Sequence, residues 1–448
     1  MVYPTCRWKV PRWTLQFLGA AMILLSACAV NPVTGRQQFS LLSESQELRM
    51  GEEAYPLYTQ MSEGLFQEPA LQAYVQAVGE ELGRLSHRPN LEYEFNVVNG
   101  SEVNAYALPG GKISITRGLL TKMTNEAQLA AVLGHEVGHV TARHAAAGYT
   151  RQVLAGLVTT AGVAVLQTAN VQGGELLAQG GLLATNLVLS KYSRDQERES
   201  DNLGFDYMTR AGYNPEGMAQ TMEILLAAHD REPSAVETLF LSHPLSSERL
   251  ESARRMADGA PANLRTREAL REEPFRRATA KLRATAPAYA KMDEGRKALA
   301  AQKNDEAVRL LGEASQMAPD QALVWVHKAI AEAVAKKTPE AYASAERAVA
   351  LYPGLYQARY AAGALAFELQ KHPESLGHLE AAEQIVPGQP QITFYRGRNF
   401  EAQNRRDEAA RAYAAVLEQV QKGPMAEYCY KRLVEWGYVR PAQPAPRG

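Results

Sequence analysis

His135 and His139 stand four residues apart in the run Ala131-Val132-Leu133-Gly134-His135-Glu136-Val137-Gly138-His139-Val140. On a helix that spacing puts both imidazoles on one face, where they can share one Zn²⁺ ion. Glu136 follows the first of them, the place from which a carboxylate can take a proton from an attacking water. Gly134 and Gly138 would let a neighbouring element approach this helix closely. Metal-assisted hydrolysis is the chemistry these residue types would perform.

A zinc ion that keeps one position for water needs a third protein ligand. His144 is near in sequence. It lies five residues beyond His139, however, and on a continuous helix it rotates off the 135/139 face. It is therefore expected at the surface or behind a ligand, not on the metal. The alternative pattern, with a glycine and a third histidine further along the helix, is absent, since Ala142 and Ala145 hold those places. Downstream, Glu197 and Asp201 are four apart and share a helix face, while Glu199 points elsewhere. Removing Glu199 is expected to leave the metal bound. Of the first two, one carboxylate can ligate zinc and the other can hydrogen-bond a ligand histidine, which fixes its tautomer. His243 precedes Pro244, which restricts it to extended backbone, so it projects from a fixed loop.

These groups need elements to place them. Ser43-Glu44-Ser45-Gln46 is a capping box that opens a helix after an extended linker over residues 29–42. Pro69 opens another, with Leu71, Val75, Val78, Leu82 and Leu85 on one stripe. Residues 91–97 alternate as a half-buried strand. A second pair follows: residues 103–108, a Pro109-Gly110-Gly111 turn, and residues 112–116. The histidine helix is expected from about Asn125 to Ala147. Residues 153–189 are apolar and rich in Gly and Ala. They read as a transmembrane hairpin, a mobile cover over the site, or a helix touching the membrane.

The last third of the chain repeats. Gly295, Ala329, Gly363 and Gly397 are each 34 apart, as are Ala307, Ala341, Ser375 and Ala409. This is the tetratricopeptide (TPR) period, with small residues where paired helices touch. Four repeats and a capping helix would give a superhelix with a concave surface for protein partners.

The 448 residues are 46% hydrophobic and 22% charged, with a formal net charge of -1. That balance excludes a nucleic-acid surface. Arg7, Lys9 and Arg12 precede a short apolar run ending in Leu25-Ser26-Ala27-Cys28, which resembles a bacterial lipobox. Cys28 is then the lipidated first residue of the mature chain. Ala29 after it, where inner-membrane retention uses aspartate, implies the outer membrane, facing the periplasm. Of three cysteines, Cys6 leaves with the signal, so Cys429 is left without a partner.

Together the His-Glu-x-x-His run, Glu197-x-x-x-Asp201, the stretch from Asn104 to Gly111, and His243-Pro244 with Arg249 resemble the HtpX- and prenyl-protease-related zinc metallopeptidases. The lipoprotein signal and the repeats make the chain similar to the BepA-like periplasmic branch of that family. Tyr106 stands where the family often has phenylalanine. The resemblance implies an α+β zincin-like metalloprotease domain, mostly helical with a small sheet, followed by an all-α TPR solenoid. It implies one Zn²⁺ per chain on His135, His139 and Glu197, with Glu136 and Asp201 as the catalytic pair. The spacing of Asp201 alone reads instead as orientation of a ligand histidine. The resemblance also puts His243 near the metal, as a regulatory fourth ligand or an oxyanion donor. Asn104, Ala105 and Tyr106 are expected to pair with extended substrate through their backbone.

The expected domains are a signal peptide over 1–27, the metallopeptidase over 28–270, a linker over 271–287 and the repeats over 288–438. The resemblance implies unfolded or stalled outer-membrane proteins as substrates and the outer-membrane assembly machinery as partner of the repeats. The rival reading is a chaperone or assembly adaptor that seldom cleaves. A prenyl-protein protease within the membrane is disfavoured, since several long apolar spans are missing.

Overall fold

In a computed structural model the described residues are 28–158, 191–231, 239 and 242–440. The expected signal peptide and residues 159–189 of the apolar run lie outside them. Among the described residues, no helix is long and apolar enough to cross a membrane.

The chain opens with strands β1 (Cys28–Val30) and β2 (Gln37–Phe39), paired antiparallel. The expected extended linker is thus a hairpin. Asn31 closes its turn by accepting hydrogen bonds from the Val33 and Thr34 amides, a common use of asparagine. Helix α1 (Glu44–Met61) carries the expected capping box at Ser43 and Gln46. Helix α2 (Pro69–Arg84) starts at its proline and buries Leu71, Val75, Val78 and Leu82. Each such side chain contributes about 1.5–3 kcal/mol by leaving water.

Strands β3 (Glu94–Val98), β4 (Ala105–Leu108) and β5 (Lys112–Thr116) form a sheet in the order β3-β5-β4. β3 runs parallel to β5 and β4 antiparallel to it. The outer edge of β3 is closed by side chains of α2. Gln72 donates to the Val97 carbonyl and accepts from its amide, and Gln76 does the same at Tyr93 and Phe95. The other edge is β4, which has a strand neighbour on one side only.

After the short helix α3 (Arg117–Lys122), the histidine helix is two helices: α4 (Glu126–Thr141) and α5 (His144–Val158). The break is at Arg143, which adopts φ 56°. Its side chain explains why. Arg143 Nε donates to buried Glu47 at 2.7 Å and Nη2 donates to the Leu42 carbonyl at 3.0 Å. Arg88 holds the other Glu47 oxygen at 2.9 Å. Charge-assisted bonds of about 1.5–3 kcal/mol each outweigh the cost of one left-handed residue.

Helices α6 (Arg194–Arg210), α7 (Glu216–Arg231) and α8 (Ser247–Gly259) complete the first unit. Residues 271–287 are not a linker. They form α9 (Glu272–Ala278) and the start of α10 (Ala280–Ala300). Phe275, Leu282 and Tyr289 are buried in the same core as α2 and α4, so burying that apolar surface fixes the segment as helix.

The second unit pairs α10 with α11 (Asn304–Met317), α12 (Ala322–Val334) with α13 (Thr338–Leu351), α14 (Tyr356–Glu368) with α15 (His372–Ile385), and α16 (Pro390–Ala402) with α17 (Arg406–Gln419). Helix α18 (Pro424–Glu435) follows. The turn inside each pair carries one left-handed residue, Gln302, Lys336, Gln370 and Asn404. A Cβ on Gly363 would come within 2.8 Å of Leu379, and one on Gly397 within 2.6 Å of Tyr413. The small-residue register is thus the contact line of each helical hairpin. The architecture is the expected one: a mostly helical domain with a small sheet, then an all-α repeat array.

Candidate metal centre and active site

The centre is built where α4 crosses α6. A Cβ on Gly138 would meet the Ser200 backbone at 3.0 Å, and one on Gly204 would meet the His135 amide nitrogen at 2.7 Å. The two helices therefore touch backbone to backbone, which only glycine permits. That contact brings Glu197 beside the histidines.

His135, His139, Glu197 and His243 each offer one donor atom, all within 4.8 Å of one another. His139 Nε2 lies 3.1 Å from His135 Nε2 and 3.4 Å from Glu197 Oε1. His243 Nδ1 lies 3.1 Å from Glu197 Oε1 and 3.4 Å from His135 Nε2. Nitrogens and a carboxylate oxygen converging in this way fit zinc in chemistry and in number. Glu136 is buried next to them, and its Oε2 accepts no hydrogen bond. A buried carboxylate oxygen without a donor is a costly arrangement that a reactant would relieve.

The electrostatics agree. Burial pushes the Glu197 carboxyl up, but the imidazoles of His243, His139 and His135 outweigh it and hold the group well below the usual carboxylate range. Burial keeps His139 well below the ordinary imidazole value. An ionised carboxylate and a neutral imidazole are the forms that bind a cation.

Outside the donor cluster, Asp201 Oδ1 lies 3.0 Å from His135 Nδ1. Arg249 grips Asp201 with two bonds of 2.7 Å, and its Nη1 is 2.6 Å from Glu197 Oε2. The same Nη1 donates to the Pro244 carbonyl at 3.0 Å. One guanidinium thus ties both carboxylates to the loop that bears His243. The loop is held twice more: the His243 amide donates to the Leu239 carbonyl, and the Tyr192 amide donates to the Ser242 carbonyl. The Tyr192 ring stacks on His139 with centroids 3.9 Å apart.

A cleft opens beside His135 and Glu136. Ala105 of β4, Ala131 and Val132 of α4, and Met218, Met222 and Leu225 of α7 line it. The strand residues expected to meet substrate are divided. Ala105 reaches the cleft, whereas the Tyr106 side chain turns to α1, where its hydroxyl is 2.9 Å from Ser62 Oγ. Asn104 is buried and its Oδ1 has no hydrogen-bond partner.

Residues 69–257 match peptidase family M48. The beta-barrel assembly-enhancing protease of Escherichia coli (strain K12) is 31% identical over 230 residues, 51% of this chain and 47% of that one. The metalloprotease LoiP of the same organism is 35% identical over 167 residues, 37% of this chain and 64% of that one. The chain spans about half the length of the curated relatives it matches first. Among solved structures, a thermophilic TPR protein of Thermus thermophilus is similar at a TM-score of 0.31 and 16% identity, covering 34% of this chain and 83% of that one.

The matched region holds His135, Glu136, His139, Glu197, Asp201 and His243. Two contributors carry no readable signal: Tyr192 has no motif of its own, and Arg249 has no role assigned by its sequence neighbours. His144, expected at the surface or behind a ligand, stands behind His139, with their Nδ1 atoms 2.9 Å apart; the break at Arg143 puts it there.

Proposed function

We propose that this protein is a zinc metalloendopeptidase of the periplasm, held to the outer membrane by lipid on Cys28. The observation that carries this reading is the four-donor cluster with Glu136 buried beside it. Zinc, when bound there, supplies a Lewis acid that polarises a carbonyl and acidifies water. His135, His139 and Glu197 would hold the ion, one per chain. Glu136 takes the proton of the attacking water and passes it to the leaving amine. Asp201 works as an orienting group: it accepts from His135 Nδ1 and so leaves Nε2 free for the metal. An extended substrate adds to the open edge of β4, where backbone pairing gives affinity across many sequences. The cleft beside Glu136 receives an apolar side chain next to the scissile bond. Unfolded outer-membrane proteins suit such a site, and the beta-barrel assembly relative supports that choice. The repeats, over 288–438, bind a component of the assembly machinery.

His243 restrains this enzyme. It stands fourth in the donor cluster, pinned through Leu239, Tyr192 and Arg249, in the place a reacting group needs. A second reading, an assembly adaptor that seldom cleaves, draws support from the same contact. The test is His243→Ala in the full chain with an unfolded barrel protein as substrate. Zinc content is expected to stay full while cleavage rises about tenfold, the equivalent of about 1.4 kcal/mol of lost restraint. A fall of about 10²–10³-fold would instead make His243 an oxyanion donor.

A further inference from the structure

Each metal-facing histidine must present an unprotonated nitrogen, so its other ring nitrogen carries the proton and needs an acceptor. For His135 the acceptor is Asp201. His139 has no carboxylate at its Nδ1. It has His144, whose Nδ1 lies 2.9 Å away. The far nitrogen of His144, Nε2, lies 3.1 Å from Glu199 Oε2. His144 is buried, while Glu199 stands partly in solvent at the edge of α6.

We propose that His144 and Glu199 are positioning residues that set the tautomer of His139 through a chain of two hydrogen bonds. The proposal rests on the metal site described above. With the lone pair of His139 Nε2 turned to the donor cluster, His139 Nδ1–H donates to His144 Nδ1. His144 then carries its proton on Nε2 and donates it to Glu199. No other arrangement satisfies all four atoms. A proton on His144 Nδ1 would set two N–H groups against each other at 2.9 Å, or turn His139 over and put N–H toward the metal. An ionised carboxylate accepts but cannot donate, so Glu199 fixes the direction of the whole chain. Ser200 Oγ, 3.4 Å from His144 Nδ1, is too distant to compete. The break at Arg143 is what makes the chain possible. On an unbroken helix His144 would face away from His139, and Glu199 would have nothing to act on. On this proposal Glu199 matters to the metal, the opposite of what its place off the Glu197/Asp201 face implies.

Zinc affinity of the purified full chain, measured by competition with a chromophoric chelator, tests this without reference to activity. Glu199→Ala and His144→Ala should each weaken binding about 10–100-fold, the usual cost of losing such a partner. Glu199→Gln should recover part of that loss, because the amide oxygen can still accept Nε2–H although its NH2 group no longer forbids the reverse direction. A merely structural role would not distinguish alanine from glutamine at a partly exposed position. Cobalt-loaded Glu199→Ala should also show shifted visible bands, which Glu199→Gln partly restores. Wild-type affinity in Glu199→Ala would overturn the proposal while leaving the metal site intact, as would equal losses in Glu199→Ala and Glu199→Gln. Absence of zinc binding by the wild type would remove the site and this proposal together.

Discussion

The Glu197→Ala protein is expected to purify without zinc and without peptidase activity, still folded. Among the described residues, Glu197 is the only carboxylate in the donor cluster, and its charge offsets that of the cation. The imidazoles of His135, His139 and His243 would remain, none of them anionic. The loss in zinc affinity should exceed about 100-fold, more than removal of an outer partner costs. The fold should survive because Arg249 keeps both of its bonds to Asp201, so no buried charge is left alone. Metal analysis and circular dichroism of the purified variant check both halves. Full zinc occupancy would remove Glu197 from the ligand set.

The second large effect is expected at Glu136. Glu136→Gln preserves shape and should keep zinc and fold, because Glu136 is not one of the four donors; its Oε1 lies 3.9 Å from His243 Nε2, a separation the glutamine keeps. An amide cannot take the proton of the attacking water, so cleavage should fall about 10²–10⁴-fold. The Oε2 atom that has no hydrogen-bond partner is where that proton would arrive. Initial rates on an unfolded substrate, beside zinc content, give the result. A variant that cleaves normally would place the base elsewhere. If rates fall as expected, the same variant should retain bound substrate in a pull-down from periplasm.

The sequence was informative where the signal is local. The spacing of His135 and His139 puts them on one face of α4 with no help from the rest of the chain. The repeat register was equally readable, since Gly363 against Leu379 and Gly397 against Tyr413 recur as one hairpin contact. What stayed hidden depends on distant partners. The end of α4 is set by Glu47, 96 residues away from Arg143. No periodicity within the helix reports that bond, so the sequence predicts one helix to Ala147 where the structure has two, and it leaves open which ligand His144 stands behind. Residues 271–287 read as a charged boundary because their buried large apolar members, Phe275 and Leu282, are few among exposed charges. Their packing on α2 and α4 becomes visible only in three dimensions. Arg249 is similar: its value lies in joining Asp201, Glu197 and Pro244, and its own neighbours in sequence give no hint of this.

The central claim is that one zinc ion at this cluster makes the chain a peptidase. The most direct measurement is cleavage of an unfolded barrel protein by the full chain carrying His243→Ala, before and after removal of metal by a chelator. The account predicts about one zinc per chain by its set of donors, loss of cleavage as zinc is withdrawn, and recovery when zinc is returned. Undiminished cleavage by the metal-free protein would contradict it.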